Sequence, residues 1–254
     1  MPLYKELSSI ASSQPRLPLV FLVDTSGSMR AASKKNPIEQ VNCFLEKIPT
    51  VLLDYQYDFI DLAIVEFDST AKVVREFSPI TDFSGIRLEA DGVTAMGEAI
   101  CLAYEMLRTR RRYYKECGLT YYRPIVLMLT DGEATDDISQ AKEIISANSN
   151  KSLFWMAGIE GSNQKQLSEL TNNSLFVDIN SIGLEEFLRW FFLMAITYVT
   201  AVHIAESPIV DRYHHLLPAG VFPIQNLIPQ DLKLDDMPGN PPQLPPMPWD
   251  DWLE

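Results

Sequence analysis

The chain has 254 residues, of which 46% are hydrophobic and 22% charged, and its formal net charge is −13. This length and apolar content predict one sizeable globular domain with a buried core, and they require no second domain. The negative charge repels phosphate backbones at long range, which excludes nucleic acid as a partner of the molecule as a whole.

The first predicted strand covers residues 18–24, where a continuous apolar run ends on Asp24-Thr25-Ser26-Gly27-Ser28. Such an apolar strand is typical of a sheet that is covered on both faces. The loop after it presents a carboxylate and two hydroxyls at alternate positions. These are hard oxygen donors of the kind that Mg2+ prefers, so the loop predicts part of a magnesium site.

Strands and helices then alternate along the chain. Residues 61–67 and 72–77 are separated by a short link and predict an antiparallel hairpin at one edge of the sheet. We expect Asn36 to cap the first helix, with Glu39 completing a capping box, and Asp136 or Asp137 to cap a later helix. Further helices are predicted over residues 96–108, 164–170 and 187–202, and further strands over residues 125–131, 153–159 and 174–178. This alternation predicts an α/β fold with a doubly wound, mostly parallel sheet and one antiparallel edge strand.

Two later segments also carry oxygen donors. Thr94 lies in a loop between Gly92 and Gly97, just before a helix, and Asp131 ends the second apolar strand. In an open α/β sheet, ligands bind beyond the carboxyl ends of the strands, where the strand order reverses. We therefore expect five side chains to meet in one crevice as ligands of a divalent cation: Asp24, Ser26, Ser28, Thr94 and Asp131.

The three segments together resemble a known metal site. Asp-x-Ser-x-Ser at residues 24–28, Thr94 within Gly-x-Thr-x-Met-Gly, and Asp131-Gly132 after an apolar strand are similar to the metal-ion-dependent adhesion site (MIDAS) of von Willebrand factor type A domains. The resemblance covers residues 17–203 and implies the Rossmann-like sheet of that family. It also implies that the five ligands hold Mg2+, or Mn2+, and that an open coordination position binds an Asp or Glu carboxylate of a partner protein.

The individual residues of the motifs resemble one part of the family more than the rest. Asp-Thr-Ser-Gly-Ser-Met and Thr-Ala-Met-Gly-Glu-Ala are similar to bacterial intracellular members of the family, and most closely to the TerY-like proteins of tellurium resistance. That resemblance implies a bacterial stress-response module that acts beside a protein kinase and a phosphatase. Other intracellular relatives work with AAA+ ATPases, so the identity of the partner stays open between these.

A Mg2+-dependent phosphoryl-transfer enzyme is the alternative, with Asp24 as its nucleophile or metal ligand and Asp131 completing the metal site. A phosphatase of the haloacid dehalogenase type would have a second Asp where Ser26 stands. The sequence also contains neither a Gly-x-x-x-x-Gly-Lys-Ser/Thr phosphate loop nor a Gly-x-Ser-x-Gly nucleophile turn. We therefore predict a non-catalytic interaction module. Caps and turns are the purely structural roles that such Asp, Ser and Thr residues also have.

The composition changes after residue 203. Ten of the 17 prolines lie between residues 208 and 248, which predicts a Pro-rich, acidic tail over residues 204–254 that folds against the domain in part or not at all. The domain itself is predicted over residues 17–203, after an N-terminal segment of residues 1–16. The tail is suited to docking in a groove of another protein, and a solubilising linker is the alternative.

A basic run at residues 108–112 is predicted to end the helix that begins near Met96. It is either a solvated helix end that complements the helix dipole or a docking patch for an acidic protein.

We expect a cytoplasmic protein. The three cysteines lie in no metal-ligand or redox pattern, which fits a reducing compartment, and the first residues lack the apolar stretch of a secretory signal. The predicted helix over residues 187–202 is short for a bilayer crossing and contains Arg189, so we expect no membrane contact.

Overall fold

The computed structural model describes residues 15–30, 36–54, 57–179, 181–201, 218–219 and 221–223. Seven strands within these ranges form one sheet. In chain order they are β1 (Leu17–Asp24), β2 (Ile60–Phe67), β3 (Ala71–Pro79), β4 (Ile125–Thr130), β5 (Leu153–Gly158), β6 (Ser174–Val177) and β7 (Val221–Pro223). Their order across the sheet is β3-β2-β1-β4-β5-β6-β7.

Five of these strands run parallel, while β3 and β7 lie antiparallel at the two edges. The chain builds outward from β1 through β2 to β3, and then returns to the other side of β1 with β4. The strand order therefore reverses between β1 and β4, which is where open α/β sheets form their binding crevice. The predicted α/β fold and its antiparallel hairpin are confirmed, and β7 adds a second reversed edge strand.

Helices cover both faces of the sheet. In chain order they are α1 (Pro37–Asp54), α2 (Met96–Glu116), α3 (Ser139–Ala147), α4 (Gln164–Leu170) and α5 (Leu184–Ala201). Because successive side chains of a strand point to opposite faces, Leu19 and Phe21 of β1 pack with α1 and α5, whereas Val20 and Leu22 pack with α2, α3 and α4. The central strands are thus buried on both sides, which is why their sequence is continuously apolar.

An aromatic cluster holds β1 against the first of these faces. The ring centroids of Phe21 and Phe192 are 4.9 Å apart in an edge-to-face arrangement, and Phe44 of α1 lies 5.0 Å from Phe192. All three side chains are buried. Such aromatic contacts add to the free energy of burial and fix the position of the strand, and with it the position of the loop that follows Asp24.

A buried ionic cluster joins the start of the sheet to α2. Asp61 of β2 is 1% exposed, and its carboxylate contacts Arg16, Arg110 and the hydroxyl of Tyr114. Burial alone would raise the pKa of Asp61, but the hydrogen bond from Arg16 and the charge of Arg110 more than offset it, so the pKa lies below its ordinary value. Asp61 is therefore ionised and paired at neutral pH.

This cluster explains why α2 is longer than predicted. The sequence places its end within the basic run at residues 108–112, but the helix continues to Glu116. Tyr114 is fully buried and donates its hydroxyl hydrogen to Asp61, so the last turn has an anchor in the core. Arg108 and Arg112 consequently lie on an exposed side of the helix rather than at its end.

The predicted capping box at the start of α1 does not form. The side-chain oxygen of Asn36 has no hydrogen-bond partner, and both carboxylate oxygens of Glu39 contact Arg87 at 2.8 Å instead. The later cap is closer to the prediction, because Asp137 accepts a hydrogen bond of 2.9 Å from the amide of Ser139, the first residue of α3.

The tail joins the sheet in part. Val221–Pro223 pairs with β6 as β7, beyond the point where the sequence analysis places the end of the domain. Residues 1–14, 202–217 and 224–254 lie outside the described residues, so the predicted N-terminal segment and most of the Pro-rich tail stay predictions. None of the helices in the described ranges combines the length and the apolar character that a bilayer crossing needs.

Candidate metal centre

Asp24 forms the floor of the crevice at the carboxyl ends of β1 and β4. Its side chain is buried, and its Oδ1 accepts a hydrogen bond of 2.8 Å from the amide of Ser26. Its Oδ2 accepts one of 2.5 Å from the hydroxyl of Thr130, the last residue of β4. Thr130 is not among the predicted site residues, although it stands directly before Asp131. These two bonds fix the carboxylate in one orientation.

The two serines of the first loop link Asp24 to the second predicted carboxylate. The loop enters a short 3-10 turn at Gly27–Arg30, which is anchored by the buried side chain of Met29. The Ser26 and Ser28 hydroxyl oxygens are 3.0 Å apart, and the Ser28 hydroxyl donates to Asp131 Oδ1 at 2.7 Å. The structure thus brings three of the predicted ligands into direct contact.

Thr94 reaches the same crevice from a third segment. Its loop begins at Gly92, whose φ of 76° favours glycine, and the Gly92 carbonyl accepts a hydrogen bond from the amide of Gly27 at 3.1 Å. A Cβ built on Gly132 would lie 2.9 Å from Thr94 Oγ1 and 3.5 Å from Asp24 Oδ2. The Thr94 hydroxyl and the Asp24 carboxylate therefore both lie close to Gly132, where only a glycine leaves room for them.

Asp136 fixes the Thr94 loop from behind. Its two carboxylate oxygens accept hydrogen bonds of 3.0 and 2.8 Å from the amides of Gly97 and Glu98, in the first turn of α2. Asp136 therefore caps α2 from another part of the chain, and does not cap the helix that follows it in sequence. The amide and the hydroxyl of Thr135 also donate to the Thr94 carbonyl, at 2.9 and 3.1 Å. These hydrogen bonds fix the backbone of Thr94, and with it the position from which its side chain extends.

Both carboxylates of the crevice are held in an environment that disfavours their charge. Burial raises the pKa of Asp24 above its ordinary value, although hydrogen bonds from Ser26 and Thr130 oppose the shift. Burial also raises the pKa of Asp131 to about 6; the hydrogen bond from Ser28 opposes this, and the negative charge of Asp24 adds to it. A divalent cation between the two would reverse this balance, because it favours the ionised form of each.

The donor set suits a hard divalent cation. It combines two carboxylates with three hydroxyls, and these oxygen donors are typical of Mg2+ and Mn2+ sites. In the described ranges, no group of three or more His, Cys, Asp or Glu side chains is arranged to hold a metal ion. Hydroxyl donors therefore have to complete the coordination, and the crevice supplies them from Ser26, Ser28 and Thr94.

Comparisons with solved structures give the same fold at low identity. A von Willebrand factor type A protein from Catenulispora acidiphila superposes with a TM-score of 0.55 at 20% identity, over 72% of this chain and 43% of that one. The pilus adhesin SpaC from Lactobacillus rhamnosus GG gives 0.57 at 13%, over 73% and 31%. Proximal thread matrix protein 1 from the mussel byssus, with a zinc-occupied MIDAS motif, gives 0.50 at 16%, over 70% and 46%. The chain spans less than half the length of each.

No curated protein sequence matches the chain. The model of one sequence family does match, the von Willebrand factor type A domain, over residues 19–187. That range runs from β1 into α5 and includes the strand ends and loops that form the crevice. The chain therefore belongs to the von Willebrand factor type A domain family.

Proposed function

We propose that the chain is a non-catalytic protein-interaction module whose crevice holds Mg2+ and, through it, binds an acidic side chain of a partner protein. The ligands of the cation are Asp24, Ser26, Ser28, Thr94 and Asp131. The observation that carries the proposal is the convergence of oxygen donors from three separate segments at the carboxyl ends of β1 and β4. Mn2+ would serve in place of Mg2+, because the two ions share a preference for oxygen ligands.

The charges of the crevice support a partner that is itself acidic. Two carboxylates balance the charge of one divalent cation, and the remaining donors are neutral. The bound cation supplies a Lewis acid that attracts a further anionic oxygen. Ser28 and Gly27 are exposed whereas Asp24 and Thr94 are buried, so a partner would approach from the Ser28 side. Without the cation, the same carboxylates would repel an acidic partner, which makes the interaction strictly cation-dependent.

The relatives lend support at the level of the fold. One solved structure is a pilus adhesin and another has a zinc-occupied MIDAS motif, which agrees with a metal-dependent binding role on this framework. A more specific biological role is suggested only by the residues of the motifs themselves. A TerY-like role in a cytoplasmic stress response, with a kinase and phosphatase or an AAA+ ATPase as the partner, is therefore a proposal based on that resemblance.

The geometry of Asp24 argues against the alternative of phosphoryl transfer. Both of its carboxylate oxygens already accept hydrogen bonds, from the Ser26 amide and the Thr130 hydroxyl, and its side chain is 0% exposed. Each oxygen keeps a second lone pair, which is enough to hold a small cation, but the buried carboxylate is closed to the approach of a phosphoryl group. We therefore assign Asp24 a role in holding the cation.

Calorimetric titration with MgCl2 tests the cation site. We expect one equivalent to bind, and Ser28→Ala to weaken binding by about tenfold or more, because it removes the hydroxyl between Ser26 and Asp131. Ser146→Ala, on an exposed part of α3, is the matched control and should leave the affinity unchanged. Binding that is equal in both variants would mean that the crevice is not the site.

Binding of peptides to the immobilised protein tests the choice of partner. Peptides that contain Asp or Glu should be retained with Mg2+ and released by a chelator, while their Asn and Gln counterparts should pass through. Equal retention of both sets would refute recognition of a carboxylate. Hydrolysis of p-nitrophenyl phosphate that disappears in Asp24→Asn would instead favour the enzyme.

A further inference from the structure

A second surface, at the end of the sheet opposite the candidate metal centre, is positively charged although the chain as a whole is negative. It is an open cavity of about 680 Å3 between the second half of α2 and the segments that precede β4 and β5. Six cationic side chains line it, and we call it the basic groove: Arg108, Arg111, Arg112, Lys115, Arg123 and Lys151. The whole chain carries a formal net charge of −13, so this concentration of positive charge is local.

Few carboxylates in the described part of the chain neutralise the cations of the basic groove. Only Arg108 has a carboxylate within ion-pair distance there, at 3.7 Å from Glu105, and both side chains of that pair are about two-thirds exposed. Arg123 donates to the carbonyls of Ser149 and Ser152, which neutralise no charge, and its buried Nε has no hydrogen-bond partner. The groove therefore presents uncompensated positive charge on a fixed framework.

The basic groove and the candidate metal centre lie at opposite ends of the parallel strands. Arg123 and Lys151 come just before β4 and β5, whereas Thr130 and Asp131 mark the carboxyl end of β4. Six residues of strand separate the two sites by about 20 Å. An occupant of the basic groove would therefore not compete with a ligand of the cation, and the two sites can be filled independently.

The chain leaves its last described strand at the same end of the sheet as the basic groove. β7 runs antiparallel to β6, with Val221 opposite Val177 and Pro223 opposite Leu175, so it exits beside the start of β6. β5 and β6 lie between β7 and β4, which places β4 three strand spacings, about 14 Å, from β7. A path of twice that length needs about eight extended residues.

The sequence after β7 is negatively charged and therefore complements the basic groove. Residues 224–254 contain a single lysine, Lys233, and six acidic residues: Asp231, Asp235, Asp236, Asp250, Asp251 and Glu254. The first acidic residue comes eight positions after Pro223, which is enough chain to reach the groove. Trp249 and Trp252 flank the last acidic pair, and indole rings stack favourably on guanidinium groups.

We infer that the acidic segment 231–254 docks in the basic groove of its own molecule. Three observations carry the inference: the uncompensated cations of the groove, the acidic residues of the segment, and the exit of β7 at the same edge of the sheet. The docked segment would neutralise this strongly positive surface. It would leave the carboxyl ends of the strands, where the candidate metal centre lies, free for a partner.

Carbodiimide cross-linking of the full chain, followed by mass spectrometry, tests this docking. The reagent forms an amide bond between a lysine amine and a carboxylate that are in direct contact. Lys115 and Lys151 are the reactive amines of the basic groove. We expect cross-links from these lysines to acidic residues within 231–254. Lys142 and Glu169, 2.8 Å apart, form an internal positive control. The control cross-link without any from the groove lysines to the segment would overturn the inference.

A charge-reversal pair makes the test specific. Arg112→Glu should lower the yield of groove-to-segment cross-links by about fivefold or more relative to the control cross-link. Lys72→Glu, an equal charge change on an exposed side chain of β3, outside the groove and away from the control pair, should leave the yield unchanged. Equal yields in the two variants would refute docking in the basic groove.

A mixture of 15N-labelled and unlabelled protein identifies the donor molecule. We expect cross-links only within one isotopic species. Cross-links between labelled and unlabelled chains would show that a second copy fills the groove and would overturn docking within one molecule.

Discussion

Substitution of Gly132 by alanine displaces one proposed ligand of the cation, the Thr94 hydroxyl, without removing any ligand. The added Cβ would lie 2.9 Å from Thr94 Oγ1, where ordinary van der Waals contact begins at 3.4 Å, so the hydroxyl has to move by about 0.5 Å. The Thr94 backbone cannot follow easily, because Thr135 holds its carbonyl through two hydrogen bonds. The φ of Gly132 is not positive, so the alanine causes no backbone strain of its own.

The expected effect on the cation is large and the effect on the fold is small. Mg2+ requires near-ideal octahedral geometry at about 2.0–2.1 Å, so a ligand displaced by half an ångström no longer coordinates well. We expect Gly132→Ala to weaken Mg2+ binding by about 10- to 100-fold, which is the range seen when the groups that position metal ligands are changed. The steric overlap costs about 1–3 kcal/mol of stability, partly offset by the reduced flexibility of the unfolded chain.

Calorimetric titration with MgCl2 measures the affinity, and urea denaturation measures the free energy of unfolding. Gly183→Ala is the matched control, since a Cβ at Gly183 meets no atom within 4 Å and the φ of Gly183 is not positive. It should leave the Mg2+ affinity unchanged. A folded Gly132→Ala protein that binds Mg2+ as tightly as the unsubstituted protein would refute the placement of the cation beside Thr94.

Four further predictions concern charged side chains. Asp61→Asn should cost about 3–5 kcal/mol in urea denaturation, because it leaves Arg16 and Arg110 buried without their carboxylate. The contribution of Asp61 to stability is complete above about pH 4, its ordinary pKa, and is lost as the pH falls towards its lower folded pKa. Asp61→Asn should therefore flatten the acid limb of the stability curve. Mg2+ should bind about tenfold more weakly at pH 5 than at pH 7, since the pKa of Asp131 is raised to about 6 and the proton competes with the cation. Asp131→Asn should therefore abolish Mg2+ binding yet raise the urea midpoint of the metal-free protein at pH 7; a fall in that midpoint would indicate a structural role. Asp136→Ala should cost about 1 kcal/mol, because it removes the acceptor for two amides of the first turn of α2, and an unchanged midpoint would contradict this.

The candidate ligands could be identified from the sequence because each lies in a short local pattern. Asp24, Ser26 and Ser28 share one turn, and Thr94 and Asp131 each stand at the boundary of an element with a clear apolar pattern. The parallel arrangement of the strands then brings those boundaries together. Their assignment as ligands is still a prediction, since the geometry places the side chains but their coordination is what the experiments test.

The supporting residues could not be identified in the same way. Thr130 and Gly132 matter because of their distances to Asp24 and Thr94, and those distances exist only once β1 and β4 pair. Asp136 or Asp137 is predicted to cap the helix that follows, but the Asp136 carboxylate caps α2, at Glu98, which lies 38 residues earlier in the chain. Local patterns carry no information about such contacts between segments.

The ends of elements were missed for a similar reason. The extension of α2 to Glu116 depends on the contact between Tyr114 and Asp61, which are 53 residues apart. β7 has three residues and includes Pro223, so its own sequence gives a weak strand signal. It forms because the edge of β6 offers hydrogen-bond partners, and that edge is a property of the folded sheet.

Anomalous diffraction from crystals grown with Mn2+ tests the central claim most directly. The account predicts one strong anomalous peak in the crevice, bonded to oxygens from Asp24, Ser26, Ser28, Thr94 and Asp131 either directly or through one water. A peak elsewhere on the molecule, or well-ordered crystals of the Mn2+-saturated protein with no peak between these side chains, would contradict it.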